Sequence, residues 1–202
     1  ITFDAILVGY LGSLAAVKAA GEIIDRLLAP GGVAIVDPAM ADNGKLYSGF
    51  DEDYVRAIGS LAGKADIILP NVTEAAILSG LPYQENIDRN YVNQLLNGLN
   101  HPCAVLTGVD FDEDSTGIVL QEGTVQHEYR HKRIGNGCHG TGDIFAAVFT
   151  GALMQGKNRL DAAKIAADFT CRCIKNTVNA PAHWYGVKFE PLLPELMEMP
   201  GR

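Results

Sequence analysis

The sequence is poor in the residues that define several protein classes. Cysteine occurs only four times in 202 residues, too few for the disulfide framework of a small secreted protein. No uninterrupted apolar run approaches the roughly 20 residues that a membrane-spanning helix needs. Basic residues are outnumbered, with 16 Lys and Arg against 24 Asp and Glu, and the net charge of −8 argues against general nucleic-acid binding. We therefore expect a cytoplasmic protein that binds neither a membrane nor nucleic acid.

The composition is that of a folded domain. Hydrophobic residues make up 48% of the chain and charged residues 20%, which excludes a disordered protein. A length of 202 residues suits one domain with a substantial core, and we predict a single domain over residues 1–202. The first residues lead straight into an apolar segment, with no initiator methionine, basic region or cleavage site. We expect this domain to be incomplete at its N-terminus.

Short apolar segments alternate with segments of helical periodicity. Strands are predicted at residues 4–9, 33–36, 66–69 and 103–107. Helices are predicted at residues 13–29, 51–62, 71–79, 88–99, 140–155 and 160–178, with a short one near 190–199. We expect Pro30-Gly31-Gly32 to end the first helix, and a hairpin around Glu122-Gly123. The predicted fold is α/β, a three-layer αβα sandwich with a mostly parallel, doubly wound sheet and a late β-hairpin.

The strongest chemical signal is the glycine-rich segment 135–143, GNGCHGTGD, which directly precedes a predicted helix. The N–H groups at a helix N-terminus have no partner within the helix and lie at its positive end. The amides of Gly140, Thr141 and Gly142 therefore predict a site for a phosphate or a developing negative charge. Asp143 beside that site is suited to take a proton from an attacking hydroxyl. An acidic residue in a first turn also stabilises a helix without any ligand, and the motif alone supports both interpretations about equally.

Further motifs carry a resemblance to a known family. They are Gly140-Thr141-Gly142-Asp143, Asp37-Pro38-Ala39-Met40-Ala41-Asp42 and Pro70-Asn71-Val72-Thr73-Glu74. With these motifs, the chain resembles the ribokinase-like kinases over essentially its whole length. Gly9-Tyr10-Leu11-Gly12-Ser13 and Tyr185-Gly186-Val187 resemble the pyridoxal/pyridoxamine kinase branch in particular. The N-terminal βαβ unit of that branch has no counterpart in residues 1–202.

The resemblance implies ATP-dependent phosphorylation of the 5′-hydroxymethyl group of a B6 vitamer, with Mg²⁺ as cofactor and a monovalent cation as a further candidate. Asp143 would be the catalytic base, and the amides of Gly140 to Asp143 would receive the transferred phosphoryl group. Cys138 would be a thiol able to add reversibly to the aldehyde of pyridoxal. The resemblance also implies a homodimer.

The resemblance assigns the remaining candidates to the nucleotide. Glu74 would hold Mg²⁺ through water, since this cation keeps part of its hydration shell. The other nucleotide-side candidates are Asp37, Leu69, Asn71, Thr107 and Tyr47.

Each assignment has a structural alternative. Asn71 and Glu74 also have the spacing of a capping box, which needs no ligand. Asp37-Pro38 and Thr107-Gly108 could be simple turns, and Cys138 could be a tolerated small residue. For the function, the alternatives are hydroxymethylpyrimidine kinase or a sugar kinase of the same superfamily, and a non-catalytic protein that binds a nucleotide or a vitamer.

Overall fold

The computed structural model describes residues 1–135, 138–180 and 185–197, which fall into two compact units, Ile1–Arg130 and His131–Arg202. Two predicted features extend beyond the described residues. They are the glycine-rich segment at positions 136 and 137 and the last helix at positions 198 and 199.

The first unit alternates strands and helices around a sheet. Its elements are β1 (Phe3–Val8), α1 (Leu14–Leu27), β2 (Leu28–Val36), β3 (Ala41–Asp42), β4 (Lys45–Leu46), α2 (Glu52–Ala62), β5 (Ile67–Ile68), α3 (Val72–Ser79), α4 (Arg89–Leu99), β6 (Cys103–Asp110), β7 (Ser115–Glu122) and β8 (Val125–Lys132), whose last two residues belong to the second unit. The sheet has the order β1-β2-β5-β6-β7-β8. The first four of these strands are parallel and β7 is antiparallel to β6. The predicted α/β class, the mostly parallel sheet and the late hairpin are confirmed.

Local sequence explains where the helices of this unit begin. Ser13, Asp51, Asn71 and Asp88 each accept a hydrogen bond from a backbone amide of the turn that follows. The middle strands are buried on both faces, which explains why they have no polar alternation. Their fully buried side chains include Ile35, Val36, Ile67, Ile68, Val105 and Leu106.

The role predicted for Pro30-Gly31-Gly32 is wrong. The first helix ends at Leu27, and β2 begins at the next residue and runs through these three positions. Phe3 pairs with Leu28 while Ala5 pairs with Val33, so β2 has extra residues that bulge out of the ladder. Gly31 has a φ of 81°, which glycine adopts without strain. The glycines therefore serve a bulge within a strand instead of ending the helix.

A short hairpin follows β2, in a part of the sequence for which no strand was predicted. Ala41 pairs with Leu46 and Asp42 with Lys45, in antiparallel fashion. Asn43 and Gly44 form the turn with φ values of 50° and 75°. Asn-Gly is the strongest sequence signal for a tight hairpin turn, so this element was open to prediction.

Apart from the last two residues of β8, the regular elements described in the second unit are helical. It contains α5 (Thr141–Met154), α6 (Arg159–Val178), a 3₁₀ turn (Glu190–Leu192) and α7 (Leu193–Met197). Phe149 of α5 and Phe169 of α6 are fully buried, and four alanines of α6 leave room for close helix packing. None of the helices in the described part of the chain combines the length and the apolar character that crossing a bilayer requires.

Candidate functional site

The carboxyl ends of the parallel strands bring several predicted residues to one edge of the sheet. The amide of Asp37, just after β2, donates to the carbonyl of Val8 at 2.8 Å. The amide of Leu69, just after β5, donates to the carbonyl of Val36 at 3.0 Å. These bonds continue the ladder past the strands and keep the strand ends side by side. In open α/β sheets, ligands bind at this edge.

Thr107 and Asn71 adjoin the same edge. The two residues form an isolated parallel bridge, and the Thr107 amide donates to the carbonyl of Pro70 at 2.9 Å. Thr107 is half-buried and lies within β6, directly before Gly108, whose φ is 65°. The predicted turn at this position is thus an irregularity inside a strand, which brings Thr107 next to Asn71.

Asn71 and Glu74 form a capping box at the start of α3. The Asn71 side chain accepts from the Glu74 amide, and Glu74 Oε2 accepts from the Asn71 amide, both at 2.9 Å. The capping interpretation of this motif is therefore confirmed. A ligand-binding role at the same residues stays a prediction.

Glu74 is also engaged outside α3. Its Oε1 accepts from the amides of Met40 at 3.0 Å and Ala41 at 3.5 Å. The side chain is buried, with the residue only 2% exposed, and this burial raises the pKa of Glu74 to about 7. The chemistry of an oxygen donor suits Mg²⁺, but both oxygens already accept backbone hydrogen bonds. This geometry fits a carboxylate that contacts the cation only through water, and it does not fit a direct ligand.

An aromatic cluster (Tyr10, Tyr47, Phe50 and Tyr54) lies beside this edge. The Phe50 and Tyr54 rings are stacked with centroids 3.7 Å apart, and the Tyr10 ring lies 5.7 Å from Phe50. The Tyr54 hydroxyl donates to the carbonyl of Leu11, which ties the cluster to the segment after β1. Tyr10 is 59% exposed and Tyr47 39% exposed, so two aromatic side chains face solvent.

Only Tyr47 of this cluster was a predicted site residue. Its amide donates to the carbonyl of Met40 at 2.9 Å, and its ring centroid lies 6.4 Å from that of Phe50. The signal for the others was the position of Tyr10 directly after a strand that ends at the ligand-binding edge. Phe50 and Tyr54 had no comparable signal, because their proximity to Tyr10 depends on tertiary packing.

The second unit contains the remaining predicted site residues. Gly140 precedes α5 with a φ of 85°, and within the described residues no side chain caps the first turn of this helix. The amides of Thr141, Gly142 and Asp143 therefore lie at an N-terminus without a capping group. Thr141 is half-buried, whereas Gly142 and Asp143 are exposed, so an approaching anion can reach this turn. Cys138, two residues earlier, is half-buried.

The Tyr185-Gly186-Val187 motif supports this loop. The Val187 amide donates to the carbonyl of His139 at 3.0 Å. A Cβ added to Gly140 would lie 3.6 Å from a methyl group of Val187. Two motifs that lie about 45 residues apart in sequence are thus in contact within the second unit.

Comparisons with known proteins agree with these motifs. A family model described as phosphomethylpyrimidine kinase matches residues 1–187. The crystal structure of pyridoxal kinase from Lactobacillus plantarum is 32% identical, with a TM-score of 0.86, and the match covers 98% of this chain and 72% of that one. The structure of pyridoxal kinase from Staphylococcus aureus in complex with AMP-PCP is 26% identical, with a TM-score of 0.75, and the match covers 87% and 63% of the two chains.

A curated relative from Bacillus subtilis (strain 168) carries a different name. It is a hydroxymethylpyrimidine/phosphomethylpyrimidine kinase, 29% identical over 146 residues, which are 71% of this chain and 54% of that protein. The chain spans less than two thirds of the length of the curated relatives it matches. Because the family model covers nearly all of residues 1–202 and the neighbouring structures share the ribokinase-like fold, this chain belongs to the phosphomethylpyrimidine kinase family.

Proposed function

We propose that the protein is an ATP-dependent kinase that phosphorylates the 5′-hydroxymethyl group of a B6 vitamer, namely pyridoxal, pyridoxamine or pyridoxine. Family membership supports phosphoryl transfer to an alcohol. The relative with AMP-PCP bound supports ATP as the donor.

The exposed Tyr10 ring is the observation that carries the choice of acceptor. Tyr10 lies at the carboxyl end of β1. Its ring packs against the ring of Phe50, which is stacked on the ring of Tyr54. Such a supported ring offers a flat apolar face to a heteroaromatic ring, and offset stacking contributes about 0.5–1.5 kcal/mol beyond the area buried. A pyridine ring satisfies this preference, whereas a sugar has no flat π-face. The cluster therefore favours an aromatic acceptor over ribose.

In the proposed reaction, Asp143 accepts the proton of the acceptor hydroxyl while its oxygen attacks the γ-phosphorus of ATP. The bond from that phosphorus to the bridging oxygen breaks, and ADP leaves. The amides of Gly140 to Asp143 stabilise the negative charge on the transferring group. Mg²⁺, when bound with the nucleotide, would neutralise phosphate charge. Asp37, Leu69, Asn71, Thr107 and Tyr47 are proposed for the nucleotide side, and Glu74 for water-mediated contact with the metal.

A pyrimidine acceptor is the second candidate. The name of the matching family model and that of the Bacillus relative favour hydroxymethylpyrimidine. Its ring is also flat and also carries a hydroxymethyl group, so the aromatic cluster suits both acceptors.

Competition between acceptors tests the proposal. Purified protein with ATP and Mg²⁺ is offered pyridoxal, pyridoxamine, pyridoxine, hydroxymethylpyrimidine or ribose, and the phosphorylated product is measured by mass. We expect the highest kcat/KM with a B6 vitamer and no product with ribose. A higher kcat/KM with hydroxymethylpyrimidine would establish the second candidate instead. ATP binding without any phosphorylated product would indicate the non-catalytic alternative.

Variants of Tyr10 test the stacking argument directly. Tyr10→Phe keeps the ring and removes the hydroxyl, whereas Tyr10→Ala removes both. We expect Tyr10→Ala to raise the KM of the vitamer by about tenfold, and Tyr10→Phe to stay close to the parent. An equal rise in the KM of the vitamer in both variants would mean that the hydroxyl, and not the ring, recognises the acceptor.

Two further properties are proposed from the resemblance. The Cys138 thiolate adds to the aldehyde carbon of pyridoxal, forming a C–S bond while the carbonyl oxygen takes a proton, and a Cys138→Ser variant should lose that adduct in an absorbance spectrum. The protein is also proposed to be a homodimer, which sedimentation analysis would test.

A further inference from the structure

The first turn of α3 holds the segment formed by residues 40–44. Thr73 Oγ1 accepts from the Gly44 amide at 3.0 Å. The Asn71 side-chain amide donates to the carbonyl of Ala41 at 2.8 Å. Glu74 Oε1 accepts from the Met40 amide at 3.0 Å. Three side chains at the start of α3 thus bind this segment at both of its ends, and we call them the α3 clamp (Asn71, Thr73 and Glu74).

The members of the clamp divide their bonding between α3 and the segment. Asn71 caps the helix with its oxygen and holds Ala41 with its nitrogen. Glu74 completes the capping box with Oε2 and holds Met40 with Oε1. The capping of α3 therefore accounts for only half of these contacts. Thr73 has no part in the capping box, and among the described residues its hydroxyl oxygen accepts from the Gly44 amide of the segment.

Burial makes these bonds effective. Thr73 is 3% exposed and Glu74 2% exposed, so both acceptor side chains are shielded from water, whereas the Gly44 turn itself lies at the surface. A variant that removes the Thr73 hydroxyl leaves the Gly44 amide without its bond to α3. The freed amide then bonds to water, and the Gly44 turn is no longer held in one position on α3.

The held segment connects residues that the proposed function assigns to the nucleotide. Asp37 precedes the segment and Tyr47 follows it. The Tyr47 amide donates to the carbonyl of Met40, within the segment, at 2.9 Å. The turn of the segment also packs on Tyr83, whose ring carbon would lie 2.6 Å from a Cβ at Gly44. Movement of residues 40–44 would therefore displace Tyr47 and alter the loop after Asp37.

We propose that Thr73 is a positioning residue of the nucleotide site. On the basis of the proposed kinase function, its buried hydroxyl fixes the Gly44 turn so that Asp37 and Tyr47 meet the nucleotide in one arrangement, without touching the nucleotide itself. This role is separate from magnesium binding, and it explains why a threonine, which is a mediocre helix former, stands inside this turn.

Two substitutions at this position separate the hydroxyl from its surroundings. Thr73→Val keeps the shape and removes the acceptor, whereas Thr73→Ser keeps the acceptor. Thr170→Val is the matched control, because Thr170 is a buried threonine of α6 whose hydroxyl has no partner among the described residues. We expect Thr73→Val to raise the KM of ATP about tenfold, with kcat and the KM of the vitamer within about twofold of the parent. Thr73→Ser and Thr170→Val should keep the parental KM of ATP.

Hydrogen exchange provides a readout that does not depend on turnover. The Gly44 amide should be protected in the parent and in Thr73→Ser, and should exchange faster in Thr73→Val. An unchanged KM of ATP in Thr73→Val, an equal change in Thr73→Ser, or an unprotected Gly44 amide in the parent would each overturn the proposal.

Failure of the proposed function gives a different experimental result from failure of the positioning role. If the parent phosphorylates neither a vitamer nor hydroxymethylpyrimidine, the affinity for AMP-PCP replaces KM as the measurement. About tenfold weaker binding by Thr73→Val would then uphold the positioning role in a protein that is not the proposed kinase. Equal affinities, or a parent that does not bind AMP-PCP, would overturn it.

Discussion

Asp143 is a single carboxylate for which two physical roles compete. It is exposed in the first turn of α5, where a negative charge stabilises a helix by about 0.3–1 kcal/mol and also lies beside uncapped amides. If it is the base of the proposed reaction, Asp143→Asn should lower kcat by about 10²–10⁴ while changing stability little. Steady-state kinetics and urea unfolding together measure the two effects.

Asp161 offers a matched control for that experiment. It is an acidic residue in the first turn of the neighbouring helix α6. Asp161→Asn removes the same kind of charge from the same kind of position, and should leave kcat at the parental value. Turnover close to parental in Asp143→Asn would end its assignment as the base.

Glu74 predicts a pH dependence of stability. Burial raises its pKa in the folded protein from 4.5 to about 7, so the folded state holds this proton more tightly than the unfolded chain. The contribution is complete below the unfolded pKa and is lost as the pH rises through the folded pKa. Between pH 5 and pH 8 the free energy of unfolding should therefore fall, relative to a Glu74→Gln variant, by up to about 3 kcal/mol.

Urea unfolding of parent and variant across that range measures this difference. Glutamine cannot accept with both of its terminal atoms, so Glu74→Gln also carries a constant penalty. Only the slope against pH tests the prediction. Parallel curves would show that the Glu74 carboxyl does not titrate between pH 5 and pH 8.

At the scale of elements, the β3–β4 hairpin depends on glycine at its turn. Gly44 has a φ of 75°, and a Cβ there would lie 2.6 Å from the Tyr83 ring. Gly49, five residues later, has a φ of 90° but no atom within 4 Å of an added Cβ. Gly49→Ala thus introduces backbone strain alone, whereas Gly44→Ala adds a clash with the ring of Tyr83, a partly exposed side chain.

We expect Gly49→Ala to cost about 1 kcal/mol of unfolding free energy and Gly44→Ala about 2 kcal/mol, because the Tyr83 ring must also shift. Urea unfolding measures both. Because the hairpin is held by the α3 clamp, Gly44→Ala should also raise the KM of ATP. Gly49→Ala should raise it less. Equal costs for the two variants would contradict the contact with Tyr83.

At the scale of the whole molecule, ligand binding should stabilise the folded state. A nucleotide present at 100 times its Kd adds about 2.7 kcal/mol if it binds only the folded protein. We expect AMP-PCP with Mg²⁺ to raise the Tm in a concentration-dependent way, and Asp143→Asn to keep most of that rise because the base acts on the acceptor. Adenosine, which lacks phosphates, is the control. An unchanged Tm over the concentration series would contradict nucleotide binding.

Throughout the chain, strands and helices with strong local sequence patterns were predictable. Apolar runs marked β1, β2, β5 and β6, and capping residues at positions 13, 51, 71 and 88 marked four helix starts. These features depend on neighbours within a few residues, because a helix cap or a buried strand is a short-range property. The glycine-rich loop before α5 was readable for the same reason.

Features that depend on distant residues were not predictable in this way. Whether Pro30-Gly31-Gly32 ends a helix or bulges in a strand depends on the partner β1, and the aromatic cluster exists because α2 packs beside the segment after β1. Glu74 and Met40 are 34 residues apart, so no local pattern reveals that one holds the other. Residue types and spacings are enough to identify the family and the candidate chemistry. Whether a given side chain caps a helix, positions a segment or binds a ligand is decided by the fold, because a buried polar atom bonds to whichever partner the packing brings within reach.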